Sequence, residues 1–308
     1  MTAQNSATTP TTIAVGVDGG SGSVLPRGTL LAGLGVVSFS LTFPGTAWGL
    51  DSFGPWSLVA LRIVLSALIA GALLLGQRVP FPDRAHWPGL AVVAGGSLIG
   101  FPLLTTIALQ TSTTSHAAVV IGLLPLATAA LGALRTRRRP SRAFWAAALA
   151  GAAVVAAFTV QQSGGALSAG DVYLFAALLV CAAAYVEGGR LASVMPGRHV
   201  VGWALVLCLP LALAGAAVAL AYEPWRLTAH GVAGLVWLAA GSNFFGLYVW
   251  YRGLAAVGVP RASQLQLAQP LLTLFWSVLL LGEHLSPAAP LAAAGVLVCI
   301  AVTQRARS

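Results

Sequence analysis

Four side chains near the end of this chain, Gln266, Gln269, Thr273 and Trp276, recur at intervals of three, four and three. That spacing places them on one face of a helix. Inside an apolar stretch, such a face offers amide donors and acceptors beside an indole, which is the chemistry needed to hold a small polar or aromatic molecule. The competing reading is that the glutamines only bond neighbouring helices, at about 0.6 kcal/mol each. Ser38 and Thr42 lie on a small-residue stripe with Gly35 and Gly45, beside Pro44. They serve either a cavity wall or close helix packing, with Pro44 opening a kink. Asn243 and Trp250, seven apart on one face of the string SNFFGLYVWYRG, add a polar and a stacking contact, or belong to an interfacial aromatic belt with Tyr248 and Tyr251. Together these residues form the expected substrate-lining set.

Two charges fall inside apolar stretches. Arg62, about seven residues into its stretch, costs a few kcal/mol if left unpaired in hydrocarbon. It must face protein or water, either as a ligand for a substrate carboxylate or as a structural residue that snorkels. Glu187 is the carboxylate set well inside a stretch, with Arg190 three residues on. A proton-coupled carrier needs a group that changes charge during its cycle, and Glu187 is the coupling candidate; a pair with Arg190 would instead keep it ionised. His116 opens its stretch and reads as an end residue. No HExxH, nucleophile elbow, CxxC or phosphate-binding glycine loop occurs, so no catalytic residue, metal site or cofactor is expected. Cys181, Cys208 and Cys299 read as small packing residues.

The elements that must position these residues follow from composition. Hydrophobic residues are 58% of the chain and charged residues 7%, against about a quarter charged in soluble domains. This predicts a polytopic membrane protein whose first partner is the lipid bilayer. The formal net charge of +9 is explained by arginines in loops, without a nucleic-acid partner. A bilayer helix needs about 20 apolar residues. Runs of that size cover 28–48, 55–75, 88–110, 116–134 and 143–160, then, after the break QQSGGALSAG, 171–191, 200–221, 230–256, 260–281 and 287–303. With both termini cytoplasmic, every arginine except Arg226 and Arg62 falls on or beside the inner side, the asymmetry expected of a multi-pass protein of the cytoplasmic membrane. Residues 1–27, with no basic residue before Arg27, are expected to form a disordered cytoplasmic tail.

The fold class is thus all-α, with ten transmembrane helices in two five-helix repeats, 28–162 and 170–304. The string from Ile107 to Pro125 aligns with that from Arg252 to Pro270, matching Leu109 with Leu254 and Thr128 with Thr273. An odd number of spans per unit makes the second copy inverted. The first-repeat counterparts of the polar stripe are Ile121, Leu124, Thr128 and Leu131, so the stripe belongs to the second copy and marks the expected binding face.

PWSLVALRIVLSALIAG, ALQTSTTSHAAVVIGLLPL, GDVYLFAALLVCAAAYVEGGRL and the string from YRGLAAVGVP through SVLLLGEHLSP to AAAGVLV together resemble the EamA-type carriers of the drug/metabolite transporter superfamily. The resemblance covers nearly everything from Gly28 to Thr303. It implies ten helices in two repeats and export, less often import, of small metabolites such as amino acids or their derivatives. The first repeat departs from the pattern, with RTRRRPSR where the second has LGEHLSP, which puts in doubt a symmetric structural role for Glu283. The alternatives are a non-transporting helper or sensor subunit and, less favoured, a membrane enzyme acting on lipid-linked substrates, which would need loops with clustered Asp, His or Glu. The oligomeric state is left open.

Overall fold

Hydrocarbon offers no partner for a free N–H or C=O, so apolar runs of this length close their backbone hydrogen bonds as helices. The computed structural model describes residues 27–135, 141–162, 167–257, 265, 266 and 268–305, and no strand occurs among them. The tail up to residue 26, the centre of the Gly/Ser break, and Arg137, Arg138, Arg139, Arg261 and Arg307 lie outside the described residues.

Among the described residues, eight stretches are long and apolar enough to cross a bilayer: α1 (Arg27–Leu50), α2 (Pro55–Gly76), α3 (Arg84–Ala108), α4 (Thr114–Arg135), α5 (Arg142–Gln161), α6 (Ala169–Ala192), α7 (Gly197–Tyr222) and α8 (Ala229–Trp250). Two shorter apolar helices follow, α9 (Ala268–Leu281) and α10 (Ala288–Val302). Much of the segment that the sequence reading adds in front of α9 lies outside the described residues.

The helices pack mainly as four pairs, α1 with α8, α2 with α7, α3 with α6 and α5 with α10, while α4 packs most against α6 and also touches α9. Each pair is antiparallel. Gly35 lies against Trp250 and Gly45 against Trp237; Gly89 lies against Glu187 and Gly96 against Val180; Gly151 lies against Cys299 and Gly295 against Val154. Glu223 and Glu283, just past the ends of α7 and α9, reach the first-turn amides of α2 and α4. Exchanging the two halves maps this pattern onto itself, with α1–α8 becoming α6–α3. The equivalent helices α2 and α7 face each other and run in opposite directions, as the members of an inverted repeat would.

A second mark of the repeat is a wide-turned π-helical segment in each half, Ala94–Gly100 in α3 and Trp237–Gly246 in α8. The alignment of Pro125 with Pro270 makes these positions equivalent. Small residues let the pairs approach closely. A Cβ on Gly234 would sit 2.5 Å from the Gly45 carbonyl oxygen and 2.6 Å from the Gly49 nitrogen, so α1 and α8 touch backbone to backbone.

Candidate functional site

Pro44 has no N–H and cannot bond the carbonyl of Ser40. The helix is interrupted at Leu41, and the freed Ser40 carbonyl accepts from Thr273 Oγ1 of α9 at 3.0 Å. The Ser40 hydroxyl accepts from Trp276 Nε1 at 3.0 Å. Thr273 and Trp276 of the predicted stripe are thus taken up by α1. Gln266 and Gln269 are half-buried, and no hydrogen bond engages either side-chain amide among the described residues.

On α8 the π turns move carbonyls out of the ordinary ladder, and these need outside donors. Ser66 of α2 donates to the Ala239 carbonyl at 3.1 Å and Ser38 of α1 to the Gly241 carbonyl at 2.6 Å. Thr42 and Ser242 share a hydrogen bond of 2.7 Å. Trp250 is half-buried, edge-on to Phe39 with ring centroids 6.2 Å apart. The predicted residues of α1, α8 and α9 therefore meet along one seam, and most of their polar atoms hold the helices to one another.

Arg62 enters this seam from α2. It is 3% exposed, and its Nη2 donates to Asn243 Oδ1 at 2.7 Å. It is turned into protein rather than toward a helix end, and no carboxylate pairs with it among the described residues. Arg62 Nε, Asn243 Nδ2 and Trp237 Nε1 are buried donors without an acceptor among the described residues. Asn243 also lines a cleft between α2, α7 and α8, together with Leu74, Leu205, Phe244, Gln77, Arg198 and His199.

Helices α4 and α6 are joined at both ends. At one end His116 Nε2 lies 2.6 Å from Asp171 Oδ1, with Phe158 stacked on the imidazole at 5.3 Å. Asp171 also accepts from Ser168 in a capping box at the start of α6. At the other end Glu187 lies 2.5 Å from both Arg135 and Arg190. At 1.5 Å of rise per residue the two junctions are about 24 Å apart along α6. Each junction ties the first repeat to the first helix of the second.

Several of these residues escape the sequence reading. His116 is no mere end residue: it is 6% exposed, and Asp171, at 0%, is covered more fully than Glu187 at 3%. Counting positions from the end of a span ignores the neighbouring helices that cover that end. Ser40 carries a legible signal, because it stands four residues before Pro44 and its carbonyl must find another donor. Glu283 has a structural role of its own; most of its first-repeat counterpart, RTRRRPSR, lies outside the described residues. Gly282, at φ +65°, ends α9 with the left-handed residue that glycine adopts freely. This turn aims the Glu283 carboxylate at the amides of Thr114 (2.7 Å) and Ser115 (3.0 Å).

Two segments, residues 26–160 and 168–304, match the model of the EamA-like transporter family. The chain is 40% identical over 275 residues, 88% of its length and 95% of the relative's, to the uncharacterized transporter YdeK of Bacillus subtilis (strain 168). An uncharacterized transporter of Haemophilus influenzae is 35% identical over 66 residues, 21% of this chain and 39% of that protein. A solved crystal structure superposes with a TM-score of 0.63 at 23% identity, covering 90% of this chain and 97% of that one, a likeness of fold. Apolar stretches long enough to span a bilayer and a family match in each half make this a multi-pass membrane transporter, and the chain belongs to the EamA-like transporter family.

Proposed function

We propose that the protein is a secondary carrier that moves small metabolites, namely amino acids, their derivatives or amphipathic drugs, out of the cell across the cytoplasmic membrane. The observation that carries this reading is the set of antiparallel helix pairs that exchange of the two halves maps onto itself, together with the polar seam between α1, α8 and α9. Two related halves of opposite orientation, rocking about a central site, expose that site to each side of the membrane in turn. In this reading α9 and α10 also cross, completing ten spans, and both termini lie on the side of the arginine-rich ends. Gln266 and Gln269, whose amides no hydrogen bond engages among the described residues, contact the substrate, with Trp250 and Trp276 as stacking surfaces. Ser38, Thr42 and Thr273 hold the wall behind them, and Asn243 of α8 adds a polar contact. A depression of about 560 Å³ lined by Asp51, Gln110, Trp225 and Arg226 is the exit vestibule.

Glu187 is the coupling residue in this scheme. Protonation would release Arg135 and Arg190 and free one end of the α4–α6 pair. The experiment is counterflow of a labelled amino-acid panel by the purified chain in liposomes. Gln266→Ala and Gln269→Ala should each slow uptake of the transported member by roughly tenfold, the worth of a lost hydrogen bond of about 1.4 kcal/mol. A flat response of the wild type across a broad metabolite panel refutes the carrier reading in favour of a helper subunit. Transport driven by a pH gradient that is unchanged in Glu187→Gln removes the coupling role.

A further inference from the structure

We infer that the Arg62–Asn243 pair is a receptor for the carboxylate of an organic monoanion, so that the substrates of the carrier proposed above are carboxylates. The inference borrows from that proposal only in the word substrate. Binding at the pair is decided by itself.

The argument begins with a charge. Arg62 is 3% exposed and has no carboxylate partner among the described residues. A buried cation without a counter-ion is strongly destabilising, so a fold that keeps one leaves a place for an anion. The guanidinium has donors and no acceptor. Its bond to Asn243 therefore fixes the amide with Oδ1 toward Arg62 and the NH₂ group turned away. A cation on the carbonyl side polarises the amide and makes that NH₂ a stronger donor. Asn243 is 9% exposed, its Nδ2 has no acceptor among the described residues, and the residue lines the cleft between α2, α7 and α8.

The cleft selects the same chemistry. Its charged lining residue is Arg198, and no Asp or Glu lines it; His199, also lining it, has a buried Nε2 without a partner. The remaining lining is largely aliphatic and aromatic. Its innermost space of about 50 Å³, at about 10–15 Å³ for each water-sized group, holds about three to five such groups, which suits a carboxylate with its attached carbon, while a ring carried on that carbon lies in the wider open part of the cleft, about 500 Å³ in all. A cation there would meet Arg198 and the charge behind Asn243. A neutral amide would leave Arg62 uncompensated. Arg62 acts through Asn243 and is a positioning residue; Asn243 makes the contact.

The test uses the full chain in nanodiscs of zwitterionic phosphatidylcholine, with benzoate, benzamide and chloride as probes and thermal unfolding as the readout. Benzoate should raise the unfolding temperature, while benzamide and equimolar chloride should not. Asn243→Asp places a carboxylate of nearly equal size beside Arg62. It should fold at least as stably as the wild type and bind benzoate about 10- to 100-fold more weakly, the worth of one hydrogen bond to a charged group. Arg62→Lys, which keeps the charge but loses the planar donor array, is the second variant and should also weaken benzoate without creating a response to benzamide. Equal responses to benzoate and benzamide, or full benzoate binding by Asn243→Asp, overturn the inference. So does protection by added phosphatidylglycerol in place of benzoate, which assigns the site to a lipid headgroup. Benzoate binding without transport of any compound sinks the carrier reading and leaves the site. Transport of neutral molecules without benzoate binding does the reverse.

Discussion

Removing the carboxylate of Glu283 should unlatch the start of α4 and leave the rest of the molecule folded. The first four amides of a helix have no partner within it. At α4 two of them, Thr114 N and Ser115 N, donate to Glu283 at 2.7 and 3.0 Å, and the Ser115 hydroxyl bonds the same carboxylate. Thr114 and Ser115 are 2% and 5% exposed, so water is a poor replacement. Hydrogen bonds to charged groups contribute about 1.5–3 kcal/mol each. Two of them set a loss of about 3 kcal/mol in Glu283→Ala, once water reaching the half-buried carboxylate position is allowed for. Local opening at that cost raises amide exchange about 100-fold. Glu283→Gln keeps one acceptor and should show about half the free-energy effect. Hydrogen–deuterium exchange of the peptide covering 112–121 is the assay, with the start of α2 as an internal reference. There Glu223 bonds Trp56 N, Ser57 N and the Ser57 hydroxyl at 3.2, 2.7 and 2.7 Å, so Glu223→Ala should move the loss to α2. Unchanged exchange at Thr114 and Ser115 in Glu283→Ala, or equal loss at both helices from either variant, refutes the reasoning.

Three further outcomes follow from the packing. Gly234→Ala, whose Cβ would meet the backbone of Gly45 and Gly49 at 2.5 and 2.6 Å, should destabilise the α1–α8 pair by about 1–3 kcal/mol. Gly33→Ala, with nothing within 4 Å, should stabilise α1 by up to about 1 kcal/mol; unfolding in mixed micelles that ranks the two the other way counts against the backbone contact. Thr273→Val should cost about 1–2 kcal/mol by orphaning the Ser40 carbonyl, and Pro44→Ala, which restores an N–H one turn along α1, should recover much of that loss in the double variant; failure of rescue means that Thr273 acts elsewhere. His116→Ala and Asp171→Ala should each cost about 3–5 kcal/mol, because each leaves a buried partner behind. The double variant should cost clearly less than their sum, and additivity in the cycle would dismiss the pair as a junction between the repeats.

The residues that the sequence places correctly and those that it misplaces differ in one physical respect. A helix face is a local property, so Gln266, Gln269, Thr273 and Trp276 are legible from spacing alone. What stands opposite that face is not local. Thr273 turns to Ser40 because Pro44, more than 200 residues earlier, leaves a carbonyl bare, and Trp276 bonds the hydroxyl of the same residue. The same holds for charge. Arg62 is recognisable as an anomaly from its depth in a span, but its bond to Asn243 depends on how α2 meets a π-helical segment that no residue pattern announces. Asp171 and His116 are passed over because each opens its stretch, yet α4, α5 and α6 cover both. The repeat repairs part of this gap. Once Pro125 is set against Pro270, the wide turn of α3 and that of α8 fall at equivalent places, and the pairing of α1 with α8 implies that of α3 with α6. Symmetry then predicts where the halves agree. Side chains that break it, Arg62 with Asn243 on one side and Gln266 and Gln269 on the other, keep bonding capacity unused among the described residues.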